Sequence, residues 1–250
     1  NSRNTIIDIY KDMEWDTEKI PILGLGELET MYNIYKTTDQ LLQQFGDGMA
    51  FTLKIKHKII PDHNLVVLYY NFSNTDKKTS KINKSIVEKI YQLYKSEYLG
   101  NDDSLLILIN EPPSESIEKI NHTINCKIQE DYIISENIEK YIYSPENEIT
   151  EDKNMNKYKK NYFRNCIIMG LDMFQVNLLE HYLVPKHEVI YDNKEIDKLY
   201  EKFNMNNNQM PIITRKDNIA KLIRINTGDI CKITRISKKS GENIYYRYCR

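Results

Sequence analysis

Cysteine is sparse and scattered: Cys126, Cys166, Cys231 and Cys249 form no CxxC pair and no compact framework in 250 residues. That excludes a disulfide-stapled mini-protein and a cysteine zinc site, and it points to a reducing compartment. Long apolar runs are missing as well. The longest clean ones, Leu65 to Tyr70 and Leu105 to Ile109, fall far short of the roughly 20 residues a membrane-spanning helix needs, so a soluble protein without a membrane partner is expected. The start, Asn1-Ser2-Arg3, shows no charged-then-apolar leader, and export is not expected. Neither sign of charge dominates, since 35 Lys and Arg stand against 36 Asp and Glu for a formal net charge of -1. No whole-molecule positive field is available, and any contact with a polyanion must be a local patch. Arginine and alanine are scarce beside asparagine, isoleucine and lysine, a bias that speaks of an AT-rich genome rather than of the fold.

What is present suits a folded chain. With 40% hydrophobic and 10% aromatic residues the protein can bury a core, and its length allows one large domain or two ordinary ones. Residues 27–45 carry apolar side chains at Leu28, Met31, Ile34, Tyr35, Leu41, Leu42 and Phe45, a spacing that predicts one or two helices. After the Gly46-Asp47-Gly48 turn, Phe51, Leu53, Ile55 and His57 alternate with Lys54, Lys56 and Lys58, the pattern of a half-buried strand with a basic outer face. Residues 65–72 read as a strand covered on both sides, and the two could pair as a hairpin. Ile82, Ile86, Ile90, Leu93 and Tyr94 mark an amphipathic helix, residues 105–109 a buried strand, and Pro112-Pro113-Ser114 the start of another helix with Ile117, Ile120 and Ile124 inward. One βαβ crossover is implied. Residues 126–128 read as a further short strand, and residues 132–143 as a closing strand or helix.

Residues 144–160 are Glu, Asn and Lys with almost no aliphatic side chains, as in a solvated spacer. The expected division is an N-terminal α/β domain over 1–160, ending in that spacer, and a C-terminal domain over 161–250. The latter has a helix over 194–203 and a hairpin over 229–249. The expected class is α/β plus α+β. Gly228 suits a helix end with positive φ, Pro185 and Pro211 fix entries into elements, and Tyr245, Tyr246 and Tyr248 offer broad apolar faces with polar tips. Such a small sheet leaves edges and aromatic area for a partner.

Three blocks near the C-terminus are more specific: LVPKHEVI at 183–190, QMPII at 209–213 and IAKLIRINTGDICKITRISKKSGENIYYRY at 219–248. In this order and spacing they resemble the small assembly subunit of DNA-directed RNA polymerase, the fifth-largest subunit shared by the eukaryotic nuclear enzymes, together with its archaeal counterpart. Val184, Pro185, His187, Gln209, Pro211, Asp217, Gly228, Asp229, Lys232, Ile233, Arg235, Gly241, Tyr246 and Arg247 fall on the family pattern. Asn218 departs from it, standing where the family has Pro, as do Ile212 and the SKKS turn. The resemblance over 1–150 is fainter and rests on element order and on the Pro113-Ser114 step.

This resemblance implies a nuclease-like α/β jaw domain beside downstream double-stranded DNA, and a small mixed-sheet domain with short helices that docks on the largest polymerase subunit. It implies a hetero-oligomer in transcription, no catalytic residue, no metal and no cofactor in this chain. Partner-binding candidates are Val184, Pro185, His187, Gln209, Pro211, Gly228, Lys232, Arg235, Tyr246 and Arg247. Lys54, Lys56, Lys58, Pro113 and Ser114 could face DNA, although Glu111 and Glu115 beside that loop would repel phosphate and lysines on an exposed strand face commonly guard an edge. The location would be the nucleus of a cell, or the host cytoplasm or virion of a cytoplasmic large DNA virus.

The rival enzyme reading is a metal-dependent nuclease. Asp62 after Pro61, then Asp76 and Lys78, spell the Pro-Asp and Asp-x-Lys motif whose carboxylates and lysine could activate water around a metal. A polar loop is a poor place for the second pair. Of the five histidines, His57, His63, His122, His181 and His187, only the last two read as near one another, and structural roles are expected, His187 satisfying backbone groups at a turn.

Overall fold

A computed structural model of the chain describes residues 1–72, 81–142, 160–237, 239 and 241–250, except for the side chains of residues 140, 142 and 193. It divides into two compact units, Asn1–Ser135 with Phe163–Asn177, and Glu136–Tyr162 with Leu178–Arg250.

In the first unit α1 (Ser2–Lys11), β1 (Trp15–Asp16), α2 (Leu25–Ile34) and α3 (Gln40–Gln43) lead into β2 (Leu53–His57) and β3 (Asn64–Tyr69). Strand β2 alternates buried and exposed because its lysines lie between Leu53, Ile55 and His57, whereas every residue of β3 is buried. The two form the expected antiparallel hairpin, Leu53 opposite Val67 and Ile55 opposite Leu65. Helix α4 (Ser85–Lys95) then crosses to β4 (Ser104–Ile109), which lies parallel to β3. Ile86, Ile90, Leu93 and Tyr94 of α4 are buried together with Leu105, Ile107 and Ile109 of β4 in one cluster. Parallel strands covered on both faces are near-continuously apolar for this reason.

Helix α5 (Glu115–Glu130) is longer than its sequence pattern implied. The expected strand at 126–128 is instead its last turns, because Ile128 continues the inward row Ile117, Ile120, Ile124 at 3.6-residue spacing. Its start is as expected: Ser114 is the N-cap and its Oγ accepts from Ile117 N–H at 3.4 Å. Strand β5 (Cys166–Gly170) completes the sheet β1-β2-β3-β4-β5, parallel to β4 with Ile107 opposite Ile168. This strand moves residues 163–177 to the first unit, where a division at 160 had put them with the C-terminal part. The cause is hydrogen-bonding partnership: Asn125 Nδ2 donates to Cys166 O and Gln129 Nε2 to Phe163 O, both at or below 2.9 Å.

The second unit holds α6 (Glu136–Ile142), so of the two alternatives for 132–143 residues 136–142 take the helix. It continues with β6 (Lys186–Ile190), α7 (Asn193–Phe203), β7 (Ile212–Ile213), α8 (Asn218–Leu222), β8 (Ile230–Ser237) and β9 (Gly241–Cys249). The sheet order is β6-β8-β9-β7, with β8 and β9 the expected antiparallel hairpin and β7 parallel to β9. The architecture is thus mixed α/β, with a five-stranded and a four-stranded mixed sheet.

Candidate assembly surface

The small sheet has a core on each face. On one, Val189, Cys231, Ile233 and Cys249 pack with Ile213, Ala220 and Ile225 around α8. On the other, Ile190, Ile230, Tyr246 and Tyr248 pack with Leu199, Ile196 and Met210 around α7. Strand alternation assigns the remaining side chains. His187, Arg235, Tyr245 and Arg247 share the α8 face, and Glu188, Lys232, Thr234, Ile236, Ile244 and Tyr246 share the α7 face. The two cores cover the Ile230 end, and the hairpin tip projects beyond them with Ile236 at 91% and Tyr245 at 51% exposure.

Each element has a local cause. Asp192 caps α7 by accepting from Lys194 N–H, and Asn204 ends it in the left-handed region with φ 47, a conformation that Asn tolerates well. Asp217 caps α8, its carboxylate accepting from Ile219 N–H at 2.9 Å and Ala220 N–H at 3.2 Å. Pro185 and Pro211 stand directly before β6 and β7, as expected. Gly228 has the expected positive φ of 93, but it lies past α8 in the turn into β8 rather than at a helix end, with its N–H on Cys249 O at 3.0 Å.

The sequence candidates therefore divide by what their atoms do. His187 Nδ1–H donates to Pro185 O at 2.7 Å, the turn role expected of it, and burial holds its imidazole below the usual pKa. Gln209 closes the Asn run, with Oε1 accepting from Asn206 N–H at 2.9 Å. Pro211 O accepts from Tyr248 N–H, tying β7 to β9. Val184 and Pro185 are half-buried at the entry to β6. Lys232 sits opposite Tyr246, Arg235 lies 5.5 Å over the Tyr245 ring, and Arg247 Nη1 donates to Ile212 O at 3.2 Å. Arginine set against tyrosine is the composition of an interface core. Tyr245, noted in the sequence for its apolar face but not among the ten partner-binding candidates, is marked by its 51% exposure.

In the first unit Lys54 Nζ pairs with Asp103 at 3.2 Å, and Lys58 Nζ donates to Lys11 O at 2.9 Å and Met13 O at 2.8 Å. Of the three strand lysines, Lys56 is the exposed one with no such engagement among the described residues. Pro113 is exposed, and the Ser114 hydroxyl serves the helix cap. For the nuclease reading, Asp62 is an exposed turn residue at φ 61, while Asp76 and Lys78 lie outside the described residues. Among the described residues no three His, Cys, Asp or Glu side chains are placed to hold a metal.

The structure also joins two histidines that sequence spacing had not singled out as neighbours. His57 and His63 ring centroids lie 5.6 Å apart, both against Trp15. His57 Nδ1 accepts from Ile59 and Ile60 N–H at 3.1 and 3.0 Å, and His63 Nδ1–H donates to Asp102 O at 2.8 Å. Both serve the backbone.

Comparison with known proteins falls on the small-sheet unit. The family model described as RNA polymerase Rpb5, C-terminal domain, matches residues 176–249. The DNA-directed RNA polymerase subunit Rpo5 of Sulfurisphaera tokodaii is 46% identical over 69 residues, 28% of this chain and 81% of that protein. The Rpo5 subunit of Staphylothermus marinus is 44% identical over 29% of this chain and 78% of its own length. That of Methanosarcina barkeri is 40% identical over 30% and 95%. Identity of this order across nearly whole relatives, over strands and caps that the small sheet explains one by one, shows that the chain belongs to the Rpb5/Rpo5 family of RNA polymerase subunits.

Proposed function

We propose that the chain acts as a non-catalytic subunit of a multisubunit DNA-directed RNA polymerase, with the small-sheet unit docking on the largest subunit and the larger unit forming part of the jaw near downstream DNA. The observation that carries the docking is the exposed hairpin tip. Tyr245, Ile236 and Ile244 are apolar and uncovered, with Arg235 and Arg247 beside them. A chain working alone gains nothing from that surface, whereas a partner would bury it. Of the other candidates, Val184, Pro185 and His187 stand at the start of β6, where Lys186 lies opposite Thr234, and Lys232 lies opposite Tyr246, whereas Gln209, Pro211 and Gly228 shape the covered end of the sheet through their bonds to Asn206, Tyr248 and Cys249.

The jaw assignment is supported by the parallel α/β layer and by the Pro113-Ser114 helix start at the carboxyl end of β4. With Lys54 and Lys58 engaged internally, phosphate attraction would fall to Lys56 and remain weak. A subunit of this kind works wherever its transcription machinery does, the nucleus in a nucleated cell. The test is affinity purification of the tagged full-length chain from its source at low and high salt. Recovery of the largest polymerase subunits, lost in a Tyr245→Asp variant that still folds, supports the assignment; a chain that stays monomeric and hydrolyses DNA with magnesium overturns it.

A further inference from the structure

Strand β9 has an open side whose groups can be named. Tyr248 N–H donates to Pro211 O at 2.8 Å and Arg250 N–H to Ile213 O at 3.0 Å, both toward β7, whereas Cys249 N–H donates the other way, to Asp229 O at 2.9 Å. Backbone groups of alternate residues in a strand point to the same side. Those of Glu242, Ile244 and Tyr246 therefore point toward the β7 side. Strand β7 does not reach them: it pairs only Ile212 with Tyr248 and Ile213 with Cys249, and Pro211 before it has no N–H to extend the ladder. Among the described residues, no strand pairs with that side of β9 at Glu242, Ile244 or Tyr246.

Sheet edges in stable proteins are usually guarded by charge, proline or a bulge. The other edge is so guarded, with Lys186 and Glu188 paired at 2.7 Å on β6. Between residues 241 and 246 the open edge carries one charge, Glu242, and is otherwise Gly, Asn, Ile and two Tyr. Its side chains differ by face, Ile244 with Ile236 on one and Tyr245 with Arg247 on the other. Residues 205–250 hold ten Lys and Arg against three Asp and Glu.

We infer that the β7 side of β9, at Glu242, Ile244 and Tyr246, is completed by an extended segment of a partner polypeptide in the polymerase, added as a fifth strand in line with β7. Backbone hydrogen bonds supply the pairing and alternate side chains the selectivity. The segment carries an apolar residue on the Ile244 face and an Asp or Glu on the Arg247 face. This rests on the subunit assignment proposed above.

The test is hydrogen exchange on the full chain, alone and reconstituted into the polymerase. Ile244 and Tyr246 amides should exchange about ten-fold or more slowly on assembly, while those of Tyr245 and Arg247, bonded to β8, are slow in both states. Unchanged Ile244 and Tyr246 rates in an incorporated chain overturn the inference; a chain that is never incorporated overturns the subunit assignment instead. Ile244→Pro deletes an outward N–H without touching the β8 ladder and should lower incorporation at least about ten-fold below that of Ile244→Thr, which loses the same apolar contact but keeps the N–H. Native incorporation of a folded Ile244→Pro chain also sinks the idea, and if that variant fails to fold, exchange in the native chain decides. Protection that rises with concentration in the isolated chain would assign the edge to a second copy and reject the partner strand.

Discussion

The carboxylate of Asp103 takes both donors of Asn64, the backbone N–H at 3.1 Å and the side-chain amide at 2.6 Å. It also accepts from Gly100 N–H at 2.9 Å and meets Lys54 Nζ at 3.2 Å, while being itself wholly buried. Strand β4 is thereby pinned at its amino end to the start of β3. Asp103→Ala leaves buried donors without an acceptor, and a loss of about 3 kcal/mol is expected in urea unfolding. Lys54→Ala should cost under about 1 kcal/mol, its ammonium being half in solvent. Equal losses for the two variants would refute the assignment of the carboxylate as the organising group.

Acid should weaken the first unit through His57. Burial, then the nearby Lys58 charge, lowers its pKa to about 4 from 6.5, and Nδ1 already accepts two backbone N–H groups. The imidazole is neutral at pH 7, so its 3.6 Å approach to Glu14 is not an ion pair there. The unfolded chain binds the proton first, so this contribution is intact above pH 6.5 and is lost as pH falls toward 4. The loss is at most about 3 kcal/mol. Denaturant unfolding between pH 7 and pH 4.5 should show a steeper decline for the native chain than for His57→Gln; parallel curves would contradict it.

Thiol labelling should be selective. Cys126 is exposed on α5, with its Sγ 3.7 Å from His122 Nε2. Cys231 and Cys249 are buried, and burial pushes their thiols up to about 12 and about 11. Since only the thiolate reacts, iodoacetamide at pH 8 followed by peptide mass spectrometry should modify Cys126 alone until the protein is unfolded. Early modification of Cys231 would mean that the α8 core opens readily.

Helix α8 can be strengthened at its first residue. Asp217 has φ -59 and ψ 137, an extended conformation compatible with a following proline, and Asn218 occupies the helical position where proline is favoured. Asn218→Pro should raise stability by about 0.5 kcal/mol, whereas Asp217→Ala removes the acceptor for two amides and should cost about 1 kcal/mol. Thermal midpoints of the two variants moving in opposite directions would bear this out.

Periodicity made much of the fold readable. The Lys-Ile alternation of residues 53–57 marked both faces of β2, and Ile82 to Tyr94 marked α4, because each pattern is local. What was missed is what depends on distant chain. Residues 126–128 alternate like a strand and are helical only because Ile128 extends a row begun at Ile117. Strand β5 follows a polar spacer, so nothing nearby shows that its partner is β4. The proposed assembly surface was legible as a set of residue types, but its split across two sheet faces required the register of β8 and β9.

The last strand of the first unit is made late. Residues 136–162 belong to the second unit, yet β5 comes after them. On a ribosome, which delivers the chain from its amino end, the five-stranded sheet cannot close until Gly170 has emerged. Until then β4, buried on both faces in the finished protein, has a bare edge of Leu and Ile open to any other strand. Fragments cut between residues 110 and 165 should therefore aggregate, and expression trials that aim to isolate the N-terminal unit need to carry the chain past residue 177.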